Sequence, residues 1–240
     1  MKTLIIFKAG STFADLAQAQ GDFEDWIADG VGNALPVSVV DARKAAALPA
    51  FDETAGAIVT GSHAMVTDRA AWSERLAGWL REAHWRGIPL LGICYGHQLL
   101  ADALGGEVDY RSQGMEIGSV PIDKTAEADN DPLFASLPRH FMANVVHSQS
   151  VRRLPPDAAL LANNAFEPHQ AFRVGSSSWG VQFHPEFDDD AMRCYVDRLA
   201  DDLTAKGVDV AAKWREVVPT AEAASLLQRF GHLVATHNDA

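Results

Sequence analysis

The tightest local constraint in the chain is a buried strand that must turn at once into a helix around a cysteine. Ile88 to Ile93 is a short apolar run, interrupted by Pro89 and Gly92, with the pattern of a strand buried on both faces. Past it, Leu99, Leu100, Ala103 and Leu104 share one helical face. Gly92-Ile93-Cys94-Tyr95-Gly96 joins the two. A Gly-x-Cys-x-Gly turn is the thiol version of the nucleophile elbow, which holds a nucleophile clear of the sheet. Glycine is needed on both sides because the strained residue brings its neighbours close to adjacent backbone. The helix that begins there favours a thiolate through its N-terminal dipole and free N–H groups. Taken alone, Cys94 reads equally well as a small buried hydrophobe.

A second stretch decides between these readings. Trp179 to Phe183 alternates bulky apolar with small or polar residues and reads as a strand, followed by His184-Pro185-Glu186. Pro185 disfavours the α conformation at His184 and keeps it extended. Residues two apart in an extended chain project the same way, so His184 and Glu186 are expected side by side at the strand's end. That is the arrangement of a general base and the carboxylate that orients it. Cys94, His184 and Glu186 are the candidate catalytic residues, and Tyr95, the residue after the nucleophile, is expected to offer one oxyanion-hole N–H.

The rest of the chain reads as alternating strands and helices. Leu4 to Phe7, Pro36 to Val40 and Ala57 to Thr60 are predicted strands, with a short helix over Phe13 to Ala19. The third strand leads into Gly61-Ser62-His63, which should face the elbow because ligands of an open parallel sheet bind at the strands' carboxyl ends. Ala71 to Trp85 is an amphipathic helix with Trp72, Leu76, Trp79, Leu80 and Ala83 as its apolar stripe. Glu107 to Tyr110, Ile117 to Ile122, part of Phe141 to Val151, Leu160 to Ala162 and Gln170 to Val174 are further strands, the last two forming a β-rich excursion before the histidine strand. A helix is expected over Ala191 to Leu203, its N-terminus suited by Asp188-Asp189-Asp190, with Cys194 as inert packing. His147 competes with His184 as a base, but no carboxylate stands at a fixed short spacing from it, so it ranks below. Glu116 reads as a structural or surface carboxylate, and His169 as surface. His63 and His97 lack the ligand spacing of a zinc site, so no metal is expected.

The two main motifs, GICYGHQLLADALGG around Cys94 and GVQFHPE around His184, resemble those of the class I, triad-type glutamine amidotransferases. AIVTGSH from Ala57 and VHSQSV from Val146 add weaker support, and the likeness runs in order from about Met1 to about Leu203. The Glu-Ile-Gly at Glu116 and the aromatic segment Gly21 to Ile27 are similar to stretches of the stand-alone, GMP-synthase-like branch, where the latter forms part of a wall over the site; here core packing explains it as well. The resemblance implies a flavodoxin-like α/β fold: an open, mostly parallel sheet with helices on both faces. It also implies a second oxyanion N–H from Ser62, where the family commonly has glycine, and substrate contacts from Gln98, Ser148 and Gln149. The implied reaction is release of ammonia from glutamine through a γ-glutamyl thioester on Cys94; cleavage of γ-glutamyl peptides or conjugates by the same triad is the alternative, and a non-catalytic module on this scaffold a third.

A single domain over residues 1–205 is expected, with a helical extension over 206–240 whose apolar residues suit the domain's edge, a partner or a second copy. Too few residues follow 203 for an ATP-using domain, and no Gly-x-x-x-x-Gly-Lys-Ser/Thr loop is present, so either a separate synthetase chain supplies the acceptor site or the donor is not free glutamine. No cofactor is implied. A net charge of −12 argues against nucleic acid or an anionic membrane as partner. Two cysteines make no disulfide framework, and Leu4 to Phe7 is too short for a signal segment, so a cytoplasmic location is expected.

Overall fold

A computed structural model describes residues 2–238; Met1 and 239–240, at the outer ends of the two expected units, lie outside the described residues. The first half runs β1 (Thr3–Lys8), α1 (Ala14–Gln20), α2 (Phe23–Val31), β2 (Val37–Asp41), β3 (Thr54–Val59), α3 (Ala71–Trp85), β4 (Leu90–Ile93) and α4 (Tyr95–Ala103). Seven strands follow: β5 (Glu107–Tyr110), β6 (Glu116–Lys124), β7 (His140–His147), β8 (Gln149–Arg153), β9 (Ala159–Asn163), β10 (Ala171–Val174) and β11 (Ser178–Val181). The chain ends in α5 (Asp189–Arg198), α6 (Ala200–Ala205), α7 (Val210–Arg215) and α8 (Ala221–Asn238).

Nine strands form one sheet in the order β2-β1-β3-β4-β11-β10-β9-β6-β7. The first five are parallel, in the flavodoxin-like order, with β11 as the fifth. The next four run antiparallel, built from the predicted excursion and the hairpin of β6 and β7. Alternation along β1 sorts its side chains between the two faces. Leu4 and Ile6 pack with α2 and α8, and Ile5 and Phe7 with α3 and α4. The predicted architecture, an open sheet with a parallel core and helices on both faces, is the one that forms. From α8, Leu226, Leu227, Phe230 and Val234 are buried in the same core as Leu4, Ile6 and Trp179.

Two local departures matter for the site. The helix expected over Ala191 to Leu203 forms as α5 and α6, with Leu199 as the break between them. The segment Phe141 to Val151 is two strands of different sheets: β7 ends at His147, and β8 starts at Gln149 and pairs with β5. Ser148 is the corner between them. No helix among the described residues is long and apolar enough to cross a membrane.

Candidate active site

Cys94 stands at the carboxyl end of β4, between β3 and β11, and caps α4 with φ 51° and ψ −98°. A non-glycine residue with positive φ is held there only by surroundings that over-determine it. Those surroundings are two glycines. A Cβ on Gly92 would lie 2.3 Å from the Gly96 carbonyl oxygen, and one on Gly96 would lie 2.4 Å from that of Val59. The Cys94 N–H donates to the Val181 carbonyl at 2.8 Å, which ties the elbow to the strand that precedes His184. Cys94 is 6% exposed, with Sγ 3.7 Å from the Val146 carbonyl.

His184 and Glu186 pair as expected, His184 Nδ1 meeting Glu186 Oε1 at 2.8 Å. They meet by a different route, because Pro185 and Glu186 form a turn rather than extending the strand. The His184 ring stacks on Phe187 at 4.2 Å and lies 6.3 Å from Phe23, which α2 delivers to the cleft. A capping box formed by Asp22 and Asp25 fixes the start of that helix, and Lys8 pairs with Asp22 at 2.6 Å. Asn144, which sequence reasoning missed, clamps the turn. Its Nδ2 donates to the Phe187 carbonyl at 3.1 Å, and its own carbonyl accepts the His184 N–H at 2.8 Å.

His184 Nε2 has no nitrogen or oxygen partner and is the ring atom left for the sulfur. Burial pulls the His184 pKa down, but the Glu186 carboxylate and the Cys94 sulfur outweigh it and raise it to about 10. The imidazolium is therefore the resting form at neutral pH.

One cleft of about 240 Å³ is lined by Cys94, Tyr95, Gln98, Ser62, Ser148, Gln149 and His184. Glu186 stands behind His184, completely buried. The sequence-predicted residues are thus brought together. Among the described residues, neither the Ser62 nor the Tyr95 N–H has an acceptor, and both residues border the sulfur's cleft. The Ser62 hydroxyl is occupied elsewhere, donating to the Ala9 carbonyl at 3.0 Å. Gln98 Nε2 donates to the Gln149 carbonyl at 2.8 Å and to Gln182 Oε1 at 3.0 Å. Phe13, Phe23, Met65, Met115 and Leu199 make up an apolar wall; the aromatic segment near the N-terminus thus contributes Phe23 to the cleft.

Two histidines differ from their sequence reading. His147 does have a carboxylate: Glu116 Oε2 lies 2.9 Å from its Nε2, across the register of β6 and β7. Glu116 is accordingly buried rather than on the surface. His147 remains unsuited as the base for another reason, since its Nδ1 is also engaged, with the Gln149 carbonyl at 2.9 Å. His169 is half-buried and donates to the Val151 carbonyl at 2.6 Å. Of the two histidines rejected as zinc ligands, His63 borders the cleft near Tyr195, at 3.2 Å from its hydroxyl. His97 lies in the core against Phe172, where burial lowers its pKa to about 3.

Comparison with known proteins places these residues in context. The model of a family described as glutamine amidotransferase class-I matches residues 23–196. The chain is 38% identical over 131 residues to a glutamine-hydrolyzing GMP synthase of Thermomicrobium roseum, covering 55% of this chain and 23% of that protein. It is 41% identical over 100 residues to one subunit of the glutamine-hydrolyzing GMP synthase of Pyrococcus furiosus, 41% of this chain and 51% of that one. Gamma-glutamyl peptidase 4 of Arabidopsis thaliana is 27% identical over 146 residues, 60% of this chain and 58% of that protein. The aligned region thus spans less than two thirds of the length of each of these relatives. A solved glutamine amidotransferase from Thermotoga maritima superposes with a TM-score of 0.74 at 20% identity, over 98% of this chain and 99% of that one, a likeness of fold.

Proposed function

The chain belongs to the class-I glutamine amidotransferase family, and on that premise we propose that it releases ammonia from the side chain of glutamine through a γ-glutamyl thioester on Cys94. The observation that carries the proposal is the strained thiol of Cys94 sharing one cleft with His184, whose Nδ1 is bound to a buried carboxylate. Cys94 Sγ attacks the side-chain carbonyl carbon. The N–H groups of Ser62 and Tyr95 receive the developing oxyanion. His184 Nε2 gives its proton to the departing nitrogen, and ammonia leaves. His184, now neutral, takes a proton from water as the water attacks the thioester, which frees glutamate and restores the thiolate and the imidazolium. Glu186 fixes the tautomer of His184 and steadies its charge. Gln98, Ser148 and Gln149 hold the glutamyl group.

The acceptor for the ammonia is a synthetase on a separate chain, in keeping with the relative that is one subunit of a GMP synthase. A cytoplasmic location accords with two free cysteines. A second reading, hydrolysis of γ-glutamyl peptides or conjugates, is favoured by the apolar wall, which offers a place for a group attached beyond the γ-amide.

The test is hydrolysis by the purified chain of glutamine, γ-glutamyl amides and γ-glutamyl dipeptides, each against Cys94→Ala. Glutamine turnover that vanishes in Cys94→Ala supports the first reading. Turnover of the dipeptides alone replaces it with the second, and activity that survives in Cys94→Ala refutes both.

A further inference from the structure

Resting on the reading above, we propose that Glu116, acting through His147, is a positioning residue for the wall of the cleft that receives the glutamyl group. The hydrogens on the His147 ring can be counted from its partners. His147 Nδ1 faces a backbone carbonyl, that of Gln149, at 2.9 Å, and Nε2 faces Glu116 Oε2 at 2.9 Å. A carbonyl oxygen only accepts, so Nδ1 carries a hydrogen. Glu116 is held as an acceptor: Asn164 Nδ2 donates to Oε1 at 2.7 Å and Gln170 Nε2 to Oε2 at 2.9 Å. The contact between Nε2 and Oε2 takes one further hydrogen, shared between those two atoms. Both ring nitrogens of His147 are thus committed, which makes it a clamp rather than a second base.

What it clamps is the cleft wall. The Gln149 carbonyl receives two donors, His147 Nδ1 from β7 and Gln98 Nε2 from α4, and Gln98 is itself held by Gln182. A chain of groups thus runs from Glu116 through His147 and the Gln149 carbonyl to Gln98 and Gln182. It fastens the Ser148 corner, where the backbone passes from one sheet to the other, to the helix that carries Cys94 at its start. A buried pair of ionisable groups is seldom the stabilising choice, since an apolar pair of similar size does as well or better. Its placement beside the corner, with three acceptor contacts satisfied on one carboxylate, is explained by the need for one fixed wall geometry.

The experiment compares wild type, Glu116→Gln and Glu116→Asp by steady-state kinetics on the hydrolysed γ-glutamyl substrate, and by long-range proton–nitrogen spectra of the labelled chain. In wild type, His147 Nδ1 is expected to carry a hydrogen that is held against the Gln149 carbonyl and slow to exchange. Glu116→Gln should expose that hydrogen to exchange and raise KM about tenfold, with kcat within about threefold. Glu116→Asp, which keeps the carboxyl group, should retain the protection and stand between the two in KM. A His147 without a hydrogen on Nδ1 in wild type overturns the proposal. So does a Glu116→Gln with unchanged KM, or with kcat reduced as far as KM is raised. If Glu116→Gln fails to fold, the wild-type spectrum and Glu116→Asp decide. If the wild type hydrolyses no γ-glutamyl substrate, the functional reading fails by itself, while the spectra still judge the Glu116–His147 pair.

Discussion

Adding one methyl group at two glycines should have opposite effects, because one is enclosed and the other is free. A Cβ on Gly96 would lie 2.4 Å from the Val59 oxygen and 2.8 Å from its Cβ, where ordinary contact begins at 3.4 Å. Val59 belongs to β3 and is itself buried, so the start of α4 must retreat by about 1 Å, and Cys94 with it. Overpacking of this kind costs about 1–3 kcal/mol, which lowers Tm by about 2–12 °C for a chain of this length. A shift of that size at the reacting sulfur lowers kcat/KM by about 100-fold. Gly78, in the middle of α3, is exposed and has no heavy atom near its virtual Cβ. Gly78→Ala should gain about 0.5–1 kcal/mol by restricting the unfolded chain, raising Tm by about 1–4 °C with activity unchanged. Calorimetry and γ-glutamyl hydrolysis on both variants provide the readings. A Gly96→Ala protein with wild-type Tm and kcat/KM would show that the elbow is not seated against β3, and that Cys94 is not held in strain by that contact.

Three further outcomes follow from the same geometry. His184 has its pKa raised to about 10 from an ordinary 6.5, so its contribution to stability is complete below about pH 6.5, declines above it and is gone above about pH 10. Activity should hold across that range and fall as the proton is lost near pH 10. In Glu186→Gln, one of the two groups that offset burial is gone and the alkaline limb should move to lower pH; a limb that stays in place refutes the role of the carboxylate. Asn144→Ala leaves the Phe187 carbonyl and the Ser119 hydroxyl without their buried partner, and should cost about 1–3 kcal/mol in urea unfolding. Ending the chain at residue 205 strips Leu226, Leu227, Phe230 and Val234 from the sheet. At about 1.5–3 kcal/mol for each side chain, the loss rivals the whole stability of a domain, so the shortened chain should not fold; a cooperative melt would show that 2–205 stands alone.

How much of this was legible in the sequence depends on separation along the chain. The Cys94 turn is readable because both constraining glycines stand two residues away, and the His184–Glu186 pair because its partners stand two apart. Even there the local geometry differs from the expected one: Pro185 excludes a helix at His184, but it fits a turn as well as an extended strand, and the turn forms. The Glu116–His147 pair spans 31 positions and exists only through the register of a hairpin, which no local pattern states. The signal available was a polar residue at the end of each strand next to apolar ones, Glu116 before Ile117 and His147 after Val145 and Val146. Asn144, between Ala143 and Val145, and Gln182, between Val181 and Phe183, carried the same signal. Each is a buried polar group that must have partners, although the sequence does not name them.

The division of the sheet at β11 has an evolutionary consequence. Cys94 and His184 belong to the parallel side, and His147, Glu116 and the Ser148 corner to the antiparallel side. The proposed reacting pair and the Ser148 corner thus ride on separate pieces of backbone. Drift in the loops around β6 and β7 can therefore reshape that corner without displacing Cys94, provided that Asn144 of β7 keeps its hold on the His184 turn.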